Sequence, residues 1–306
     1  MNPQVKVIGV GGSGSNTISR MVKFNIQGVE LIAVNTDAQA LHFCKANKKI
    51  LIGKETTKGL GTGMDVVLGR KAAEESREVI SENLKNSDMV FITCGLGGGT
   101  GSGAAPIIAE ISKDLDILTI AVVTTPFSFE GDQRKRVADN ALQKLKERVD
   151  SLIIISNDKL LNIIDEKTTV SGAFSLCDEV LREAVQSITD LILIPGIINI
   201  DFSSVVSIME NSGRALFGVG RAQGENRAVD AAVKAINSPL LDFSIKGARG
   251  VLFNVLGQDV TLNEIQEAAK IITKNVSPKA QIIFGAVKDN TLLKGEIKVI
   301  VIATKF

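Results

Sequence analysis

The sequence contains few of the residues on which common catalytic and metal sites depend. Among its 306 residues there are one histidine, three cysteines, and no tryptophan or tyrosine. The cysteines (Cys44, Cys94 and Cys177) lie far apart and the single histidine is His42, so neither CxxC nor HExxH spacing occurs. These absences exclude zinc sites, redox dithiols and a Ser–His–Asp triad. Any chemistry must depend on carboxylates, amides, hydroxyls, backbone donors and a bound cation.

Excess charge and long apolar segments are also absent. The 35 basic residues nearly balance the 34 acidic ones, and a net charge of +1 argues against nucleic acid or an anionic membrane as the main partner. No apolar run approaches the ~18 residues of a membrane span, and Met1 leads straight into a predicted strand rather than a signal peptide. Free cysteines fit a reducing compartment. We expect a soluble, cytoplasmic protein that neither binds nucleic acid nor inserts into a membrane.

What the sequence does contain is an alternation of short apolar strands and amphipathic helices. Near-continuous apolar strands between helices indicate a parallel sheet covered on both faces, so the predicted fold class is α/β. The predicted strands of the first part are "VKVIGV", "VELIAVN", "MVFIT", "LTIAVVT" and "SLIIIS", and "VVLGRKAAEESREVISENL" is a predicted helix.

A change in this pattern near Ser171 predicts a second domain. The segment "AFSLCDEVLREAVQSITDLI" places Leu181, Val185, Ile188 and Ile192 on one stripe, which predicts a single helix of about five turns. A smaller α+β region follows, with predicted strands "ALFGVG", "GVLFNVLG", "QIIFGAV" and "IKVIVIA". The predicted domains are residues 1–172, a connecting helix at 173–195, and residues 196–306.

Two glycine-rich segments occur where predicted strands meet predicted helices. In "GVGGSGSN", Gly9, Gly11 and Gly14 fit G-x-G-x-x-G, a weak dinucleotide-binding signal because Asp37 comes late after the second strand. The second segment is "GLGGGTGSG", before the helical "IIAEI". Neither has the Gly-Lys-Ser/Thr of a Walker A loop. Backbone N–H groups and hydroxyls would therefore hold two or three phosphates, with a metal ion offsetting their charge. The alternatives are two tight packing turns, or an NAD-dependent oxidoreductase on the first motif alone.

At "GGGTGSG" the sequence resembles the tubulin/FtsZ family of GTPases, and its FtsZ members in particular. The resemblance extends from Val5 to Phe306. Supporting stretches are "IAVNTDAQAL", "GLGTGMDVVLGRKAAEES", "TPFSFEGDQRKR", "ISNDKLL", "GAFSLCDEVL" and "ITDLILIPGIINIDF". It implies a tubulin/FtsZ fold: a parallel-sheet GTP-binding domain, a long central helix and a smaller α+β C-terminal domain. It also implies a cytoskeletal protein that assembles head to tail into filaments for cell division, forming the septal Z-ring.

The resemblance also implies which residues bind GTP or GDP. Thr62 stands where the family usually has alanine. Phe174 would stack on the purine, and Asp178 would accept from N1–H and the 2-amino group of guanine, neither of which adenine offers. The alternative roles are a core aromatic for Phe174 and a solvated helix residue for Asp178. The implied set is Gly11, Gly12, Ser13, Gly14, Ser15, Asn16, Thr62, Gly97, Gly98, Gly99, Thr100, Gly101, Glu130, Arg134, Asn157, Phe174 and Asp178.

The implied catalytic residues lie in "GIINIDFSSV". In the family this segment completes the active site of the next subunit, so hydrolysis depends on head-to-tail assembly. Asn199 and Asp201 match the family, but Ser204 replaces a second aspartate, which predicts slow hydrolysis or a scaffold with vestigial hydrolysis. Asp201 or Ser203 would alternatively cap the following helix.

The resemblance further implies cofactors and partners. The cofactors are GTP or GDP with Mg²⁺ bound through the phosphates, and K⁺ is a further candidate; no side-chain metal site is predicted. The partners are further copies of this chain, together with division-site membrane tethers that the family recruits through a C-terminal peptide. The sequence ends at "VIATKF", a predicted last strand, so either that peptide was removed or the protein reaches the membrane by another route.

Overall fold

The structure, a computed structural model, describes residues 3–24, 26, 28–161, 167–194, 196–198 and 200–306. Its chain forms two compact units, one up to Gln186 and one from Ser187. No helix in the described part of the chain combines the length and the hydrophobicity needed to cross a bilayer.

The first unit is built on a parallel sheet, as predicted. Its strands lie in the order β3-β2-β1-β4-β5-β6, and every neighbouring pair is parallel. Met89 to Cys94 are all buried, which explains why this strand reads as an unbroken apolar run. The strands are β1 (Val5–Val10), β2 (Val29–Asn35), β3 (Lys48–Leu51), β4 (Met89–Gly95), β5 (Leu118–Thr125) and β6 (Ser151–Ser156).

Helices connect these strands. They are α1 (Gly11–Lys23), α2 (Ala38–Phe43), α3 (Lys54–Thr57), α4 (Val66–Glu75), α5 (Arg77–Leu84), α6 (Gly99–Asp114), α7 (Asp132–Lys146) and α8 (Asn157–Leu160), with a 3₁₀ turn at Ser128–Glu130. The single helix predicted for "VVLGRKAAEESREVISENL" is wrong, because Ser76 breaks it into α4 and α5. Ser76 leaves the helical region (φ −102°, ψ 14°), and its hydroxyl accepts a hydrogen bond from the Gly53 N–H at 3.0 Å.

The long helix is confirmed as α9 (Val170–Leu193), 24 residues in length. Leu181, Val185 and Ile188 of the predicted stripe are fully buried. The division between the two compact units falls between Gln186 and Ser187, inside this helix. The predicted domain limits at 172 and 195 stay predictions.

The second unit has a mixed four-stranded sheet among its described residues, in the order β7-β10-β8-β9. Strand β10 pairs antiparallel with both β7 and β8, whereas β8 and β9 are parallel. The residues Val251, Phe253 and Val255 of β8 are fully buried in its core. The elements are α10 (Phe202–Met209), β7 (Gly213–Gln223), α11 (Arg227–Ile236), β8 (Gly250–Gly257), α12 (Leu262–Lys274), β9 (Gln281–Lys288) and β10 (Glu296–Thr304).

Candidate functional site: a cleft at the strand ends of the first unit

A cleft of about 420 Å³ opens where β1, β4 and β5 end. From β1 the chain continues to β2 on one side, and from β4 it continues to β5 on the other. This reversal is the switch point at which open parallel sheets bind their ligands. The predicted residues that line the cleft are Gly12, Ser13, Asn16, Thr62, Gly98, Gly99, Thr100, Gly101, Glu130, Arg134, Asn157, Phe174 and Asp178.

At one side of the cleft, which we call the glycine end, helices α1 and α6 both begin. Val10 and Gly98 occupy their N-cap positions, neither helix has a side-chain cap, and neither has an acidic residue in its first turn. By contrast, the Asp65 carboxylate caps α4 by accepting from Val67 and Leu68 N–H. Uncapped first-turn N–H groups and the positive helix dipole favour a negatively charged group. The glycine end is therefore suited to an anion.

The two glycine-rich segments are largely helical rather than looped. Helices α1 and α6 start inside them, at Gly11 and Gly99. A methyl group added to Gly12 or Gly98 would meet no atom of the described residues within 4 Å apart from the adjoining backbone, so space for these side chains exists in the cleft. On Gly101, in contrast, it would lie 2.8 Å from the Gly95 carbonyl oxygen. Some glycines therefore leave room at the cleft, and others permit close backbone packing.

Three threonine hydroxyls lie together at the glycine end. The Oγ1 atoms of Thr36 and Thr100 are 2.7 Å apart, and those of Thr62 and Thr100 are 3.3 Å apart. All three side chains are buried. Because each hydroxyl can donate or accept, the group can serve either an anion or a cation without changing its own charge.

The opposite side of the cleft, which we call the α9 end, combines an aromatic ring with a buried carboxylate. Phe174 is 39% exposed and meets Phe127 edge-on at 5.4 Å. Asp178 is 7% exposed, and its carboxylate lies 3.5 Å from both Ser13 Oγ and Arg20 Nε. Burial raises the pKa of Asp178 to about 6, although the Arg20 guanidinium opposes that rise.

Asn157 supplies an unused acceptor at the cleft. It is 5% exposed, and its Oδ1 atom has no hydrogen-bond partner within the described part of the chain. A buried acceptor without a donor is costly unless a ligand satisfies it. Together with Asp178 and Phe174, it favours a flat ligand that carries hydrogen-bond donors on its edge.

Glu130 and Arg134 line the cleft as a connected pair. Arg134 Nη1 donates to Glu130 Oε2 at 2.7 Å, and Glu130 Oε1 accepts from the Phe127 N–H at 2.9 Å. The carboxylate is thereby fixed at the start of α7. The Arg134 side chain is 40% exposed and keeps further N–H donors for a ligand.

Four predicted residues do not line the cleft. Gly11 adopts φ +73°, a conformation that glycine accommodates readily. A methyl group on Gly14 would lie 2.6 Å from the Thr93 carbonyl oxygen. Ser15 is buried and its hydroxyl has no hydrogen-bond partner among the residues that the structure places, and the Gly97 N–H donates to Ser102 Oγ at 2.9 Å. These residues shape the backbone beneath the cleft.

Sequence reasoning missed four lining residues: Val10, Gly95, Thr124 and Cys177. The first three stand at or next to the carboxyl ends of β1, β4 and β5, so the rule that ligands bind at strand ends would have found them. Cys177 lies one turn after Phe174 on α9. Burial raises the pKa of its thiol to about 12, so it contributes a neutral surface.

The predicted catalytic residues belong to the second unit. Asp201 caps α10, with its carboxylate accepting from the Ser204 N–H at 2.7 Å, so the predicted capping role is confirmed. The hydrogen bond from the Ser204 side chain, followed by the one from its backbone N–H, lowers the pKa of Asp201. Asn199 lies outside the described residues.

A cation would have to be held mainly by a ligand. No cluster of three metal-binding His, Cys, Asp or Glu side chains exists among the residues that the structure describes. The glycine end offers neutral hydroxyl oxygens from Thr62 and Thr100. Such oxygens suit Mg²⁺ when an anionic ligand supplies the remaining contacts.

Comparison with known proteins accounts for most of the chain. Residues 4–165 match the model of the Tubulin/FtsZ family GTPase domain, and residues 213–306 match that of the FtsZ family C-terminal domain. An empty FtsZ dimer from M. jannaschii is 46% identical with a TM-score of 0.95, covering 99% of this chain and 88% of that one. The W319Y mutant of that FtsZ gives the same identity and TM-score, covering 99% and 91%. CetZ2 from Haloferax volcanii, a GTPγS-bound protofilament, is 21% identical with a TM-score of 0.83, covering 98% and 92%, and shares the fold.

Proposed function

The chain belongs to the tubulin/FtsZ family, and from that premise we propose that this GTPase binds guanine nucleotides in the cleft and hydrolyses GTP only after head-to-tail assembly. The observation that carries the proposal is the pairing of two uncapped helix N-termini with a buried carboxylate across one cleft. The glycine end of the cleft suits the phosphates of a nucleotide, and the α9 end suits its base.

The phosphates would occupy the glycine end. Backbone N–H groups at the starts of α1 and α6 would donate to them, and Thr62 and Thr100 would add hydroxyl contacts. Mg²⁺, and K⁺ as a further candidate, would enter with the phosphates. Such a cation would offset negative charge on the transferred group.

Guanine would occupy the α9 end. The Asp178 carboxylate can accept from the N1–H and 2-amino groups, the unpartnered Asn157 Oδ1 offers a further acceptor, and Phe174 would stack on the ring. Adenine has no donor at N1, so it would leave buried acceptors unpaired. A site of this kind discriminates strongly between the two bases.

The cleft alone lacks a free group to position an attacking water. Its carboxylates, within the described residues, are Glu130 and Asp178, and both already contact cationic side chains. A second copy of the chain would supply Asp201, which is exposed and whose lowered pKa keeps it ionised at neutral pH. The neighbouring Asn199 would join it. The related FtsZ of M. jannaschii forms a dimer, which supports assembly of this kind.

Hydrolysis in the assembled state would be slow because Ser204 stands where the family has a second aspartate. A serine hydroxyl neither orients water nor attracts a cation as strongly as a carboxylate does. Loss of one such group typically lowers a rate by about 10²- to 10⁴-fold. A filament scaffold with vestigial hydrolysis is the second candidate function, and the same residue favours it.

The test compares GTP turnover of wild type, Ser204→Asp and Ser203→Asp over a range of protein concentrations. Both substitutions add a carboxylate to the first turn of α10, so the second is a matched control for the added charge. We expect turnover per molecule to rise with concentration, and Ser204→Asp alone to raise it by at least about tenfold. Turnover that is independent of concentration would refute the assembly requirement. An equal rate for all three proteins would refute the role of Ser204.

The same preparation separates the two candidates and tests the ligand. Light scattering with GTP should show polymers that persist nearly as long as those formed with a non-hydrolysable analogue if hydrolysis is vestigial. Binding of ATP as tight as that of GTP would overturn the assignment of the α9 end. In the cell, we propose that the filaments form the septal Z-ring in the cytoplasm at the division site, with membrane tethers as partners.

A further inference from the structure

A second pocket lies between α4, α6 and α7 of the first unit. Its volume is about 280 Å³, close to the lower limit for small-molecule sites. Val66, Pro106 and Ile107 give it an apolar surface, whereas Arg70, Lys144 and Arg148 place cationic groups around it. We call it the α4–α6 pocket.

The carboxylates of this pocket are already engaged. Glu74 accepts from Arg77 at 3.1 Å, and Glu110 accepts from both Arg77 and Arg148. The Arg70 guanidinium and the Lys144 ammonium take part in no hydrogen bond or ion pair within the described part of the chain. Two cationic groups therefore remain without a counter-charge beside an apolar surface.

We propose that the α4–α6 pocket binds a small organic anion with an apolar body. A carboxylate, sulfonate or phosphate would pair with Arg70 and Lys144, and a ring or short chain would cover Val66, Pro106 and Ile107. A neutral molecule of the same shape would lack the ionic contacts and bind more weakly.

The packing of α4 against α6 connects this pocket to the cleft. A methyl group on Gly103 would lie 2.4 Å from the Val66 carbonyl oxygen, and one on Gly99 would lie 2.8 Å from the Asp65 nitrogen. The backbones of α4 and α6 are therefore in direct contact, and no side chain lies between them that could move aside. A ligand that separates them moves the start of α4 away from α6.

That movement would reach the glycine end of the cleft. The Asp65 N–H donates to the Thr62 carbonyl at 2.9 Å, and Thr62 Oγ1 lies 3.3 Å from Thr100 Oγ1. Displacing α4 lengthens this hydroxyl contact and withdraws Thr62 from the phosphates. A ligand large enough to push α4 away from α6 would therefore weaken nucleotide binding, an inference that rests on the proposed function of the cleft.

The binding test uses naphthalene-2-sulfonate as the probe and naphthalene-2-methanol as its neutral counterpart, titrated into the full chain by ligand-observed NMR. Arg70→Glu and Lys144→Glu should each weaken sulfonate binding roughly two- to tenfold. Lys71→Glu and Lys146→Glu are matched controls, because both lysines are exposed on the same two helices but do not line the pocket. The controls should leave the affinity within twofold.

Three binding results overturn the site: no saturable sulfonate binding, equal effects of all four substitutions, or equal affinity for the neutral counterpart. The last comparison needs only the wild-type chain and so survives a variant that fails to fold. For the coupling, saturating sulfonate should weaken binding of a fluorescent GDP analogue about fivefold or more, and Arg70→Glu should reduce that effect. Unchanged GDP affinity with the pocket occupied refutes the coupling, whereas no GDP binding without the probe refutes the proposed function instead.

Discussion

Gly12→Ala is the substitution that best distinguishes a glycine required by the ligand from one required by the fold. Gly12 lies in the first turn of α1 with an ordinary negative φ, and beyond its own helix and chain neighbours an added methyl group meets no atom of the described residues within 4 Å. Alanine is the better helix former, by about 1 kcal/mol in a helix interior. Without nucleotide, the free energy of unfolding should therefore stay constant or rise by up to about 1 kcal/mol, which is at most about 2 °C in Tm for a chain of 306 residues.

With nucleotide, the same methyl group occupies space that the phosphates need. Losing one hydrogen bond to a charged group costs about 1.5–3 kcal/mol, so the GDP dissociation constant should increase roughly 10- to 150-fold. The measurements are thermal denaturation of the nucleotide-free chain and fluorescence titration with a GDP analogue. The expected outcome is a protein that is at least as stable as wild type but binds poorly.

Gly14→Ala is the matched control, because Gly14 lies in the same helix two residues after Gly12. Its methyl group would lie 2.6 Å from Gly9 C and Thr93 O, both backbone atoms, so the packing must open. Overpacking of this kind costs about 1–3 kcal/mol of unfolding free energy. If Gly12→Ala bound nucleotide as tightly as wild type, the claim that phosphates lie against Gly12 would be refuted.

Two further predictions concern carboxylates. The pKa of Asp178 is raised from 3.8 to about 6 in the folded chain, so the folded state holds a proton that the unfolded state releases, and nucleotide-free stability should fall by roughly 2 kcal/mol as pH rises from 4 to 7. Asp178→Asn should remove this part of the pH dependence in urea titrations. Wild type should also lose guanine affinity as pH falls below about 6, because protonation removes an acceptor, whereas Asp178→Asn should bind guanine weakly at every pH. Identical pH profiles for both proteins would contradict the assignment. Asp201→Ala removes the cap on Ser204 N–H and should cost about 1 kcal/mol of stability, whereas Asp201→Asn keeps an acceptor and should cost less. Both Asp201 variants should lose assembly-dependent turnover, and full activity in Asp201→Asn would show that its charge is not used.

The fold was largely predictable because the apolar patterns of its strands and of α9 can be read from residues that are close together in the sequence. Strand β4 reads as apolar throughout since both of its faces are covered, and the α9 stripe repeats at helical spacing. The α4–α5 break was not predictable in this way. At the break, the Ser76 hydroxyl accepts from the Gly53 N–H, a contact between residues that are distant in sequence.

The candidate site was likewise predictable only in part. The resemblance indicated the residues at both ends of the cleft, but spacing alone could not tell Gly12, which opens to the cleft, from Gly14, which packs against β1 and β4. That difference depends on which backbone passes behind each glycine. The sequence likewise does not show which cationic groups of the α4–α6 pocket lack an ionic partner. That depends on Arg77 and Arg148, which already pair with the pocket carboxylates Glu74 and Glu110.

The threonine group at the glycine end bears on what happens after the terminal phosphate departs. Thr36 and Thr100 already satisfy each other, and Thr62 is within reach of Thr100. Rotation of the Thr62 and Thr100 O–H bonds would let both hydroxyls donate to an anion in the cleft before cleavage and return to the threonine contacts afterwards. Product release would then require only rotation of hydroxyl groups and no change in the backbone. The diphosphate form should therefore keep the same structure as the triphosphate form around these three side chains.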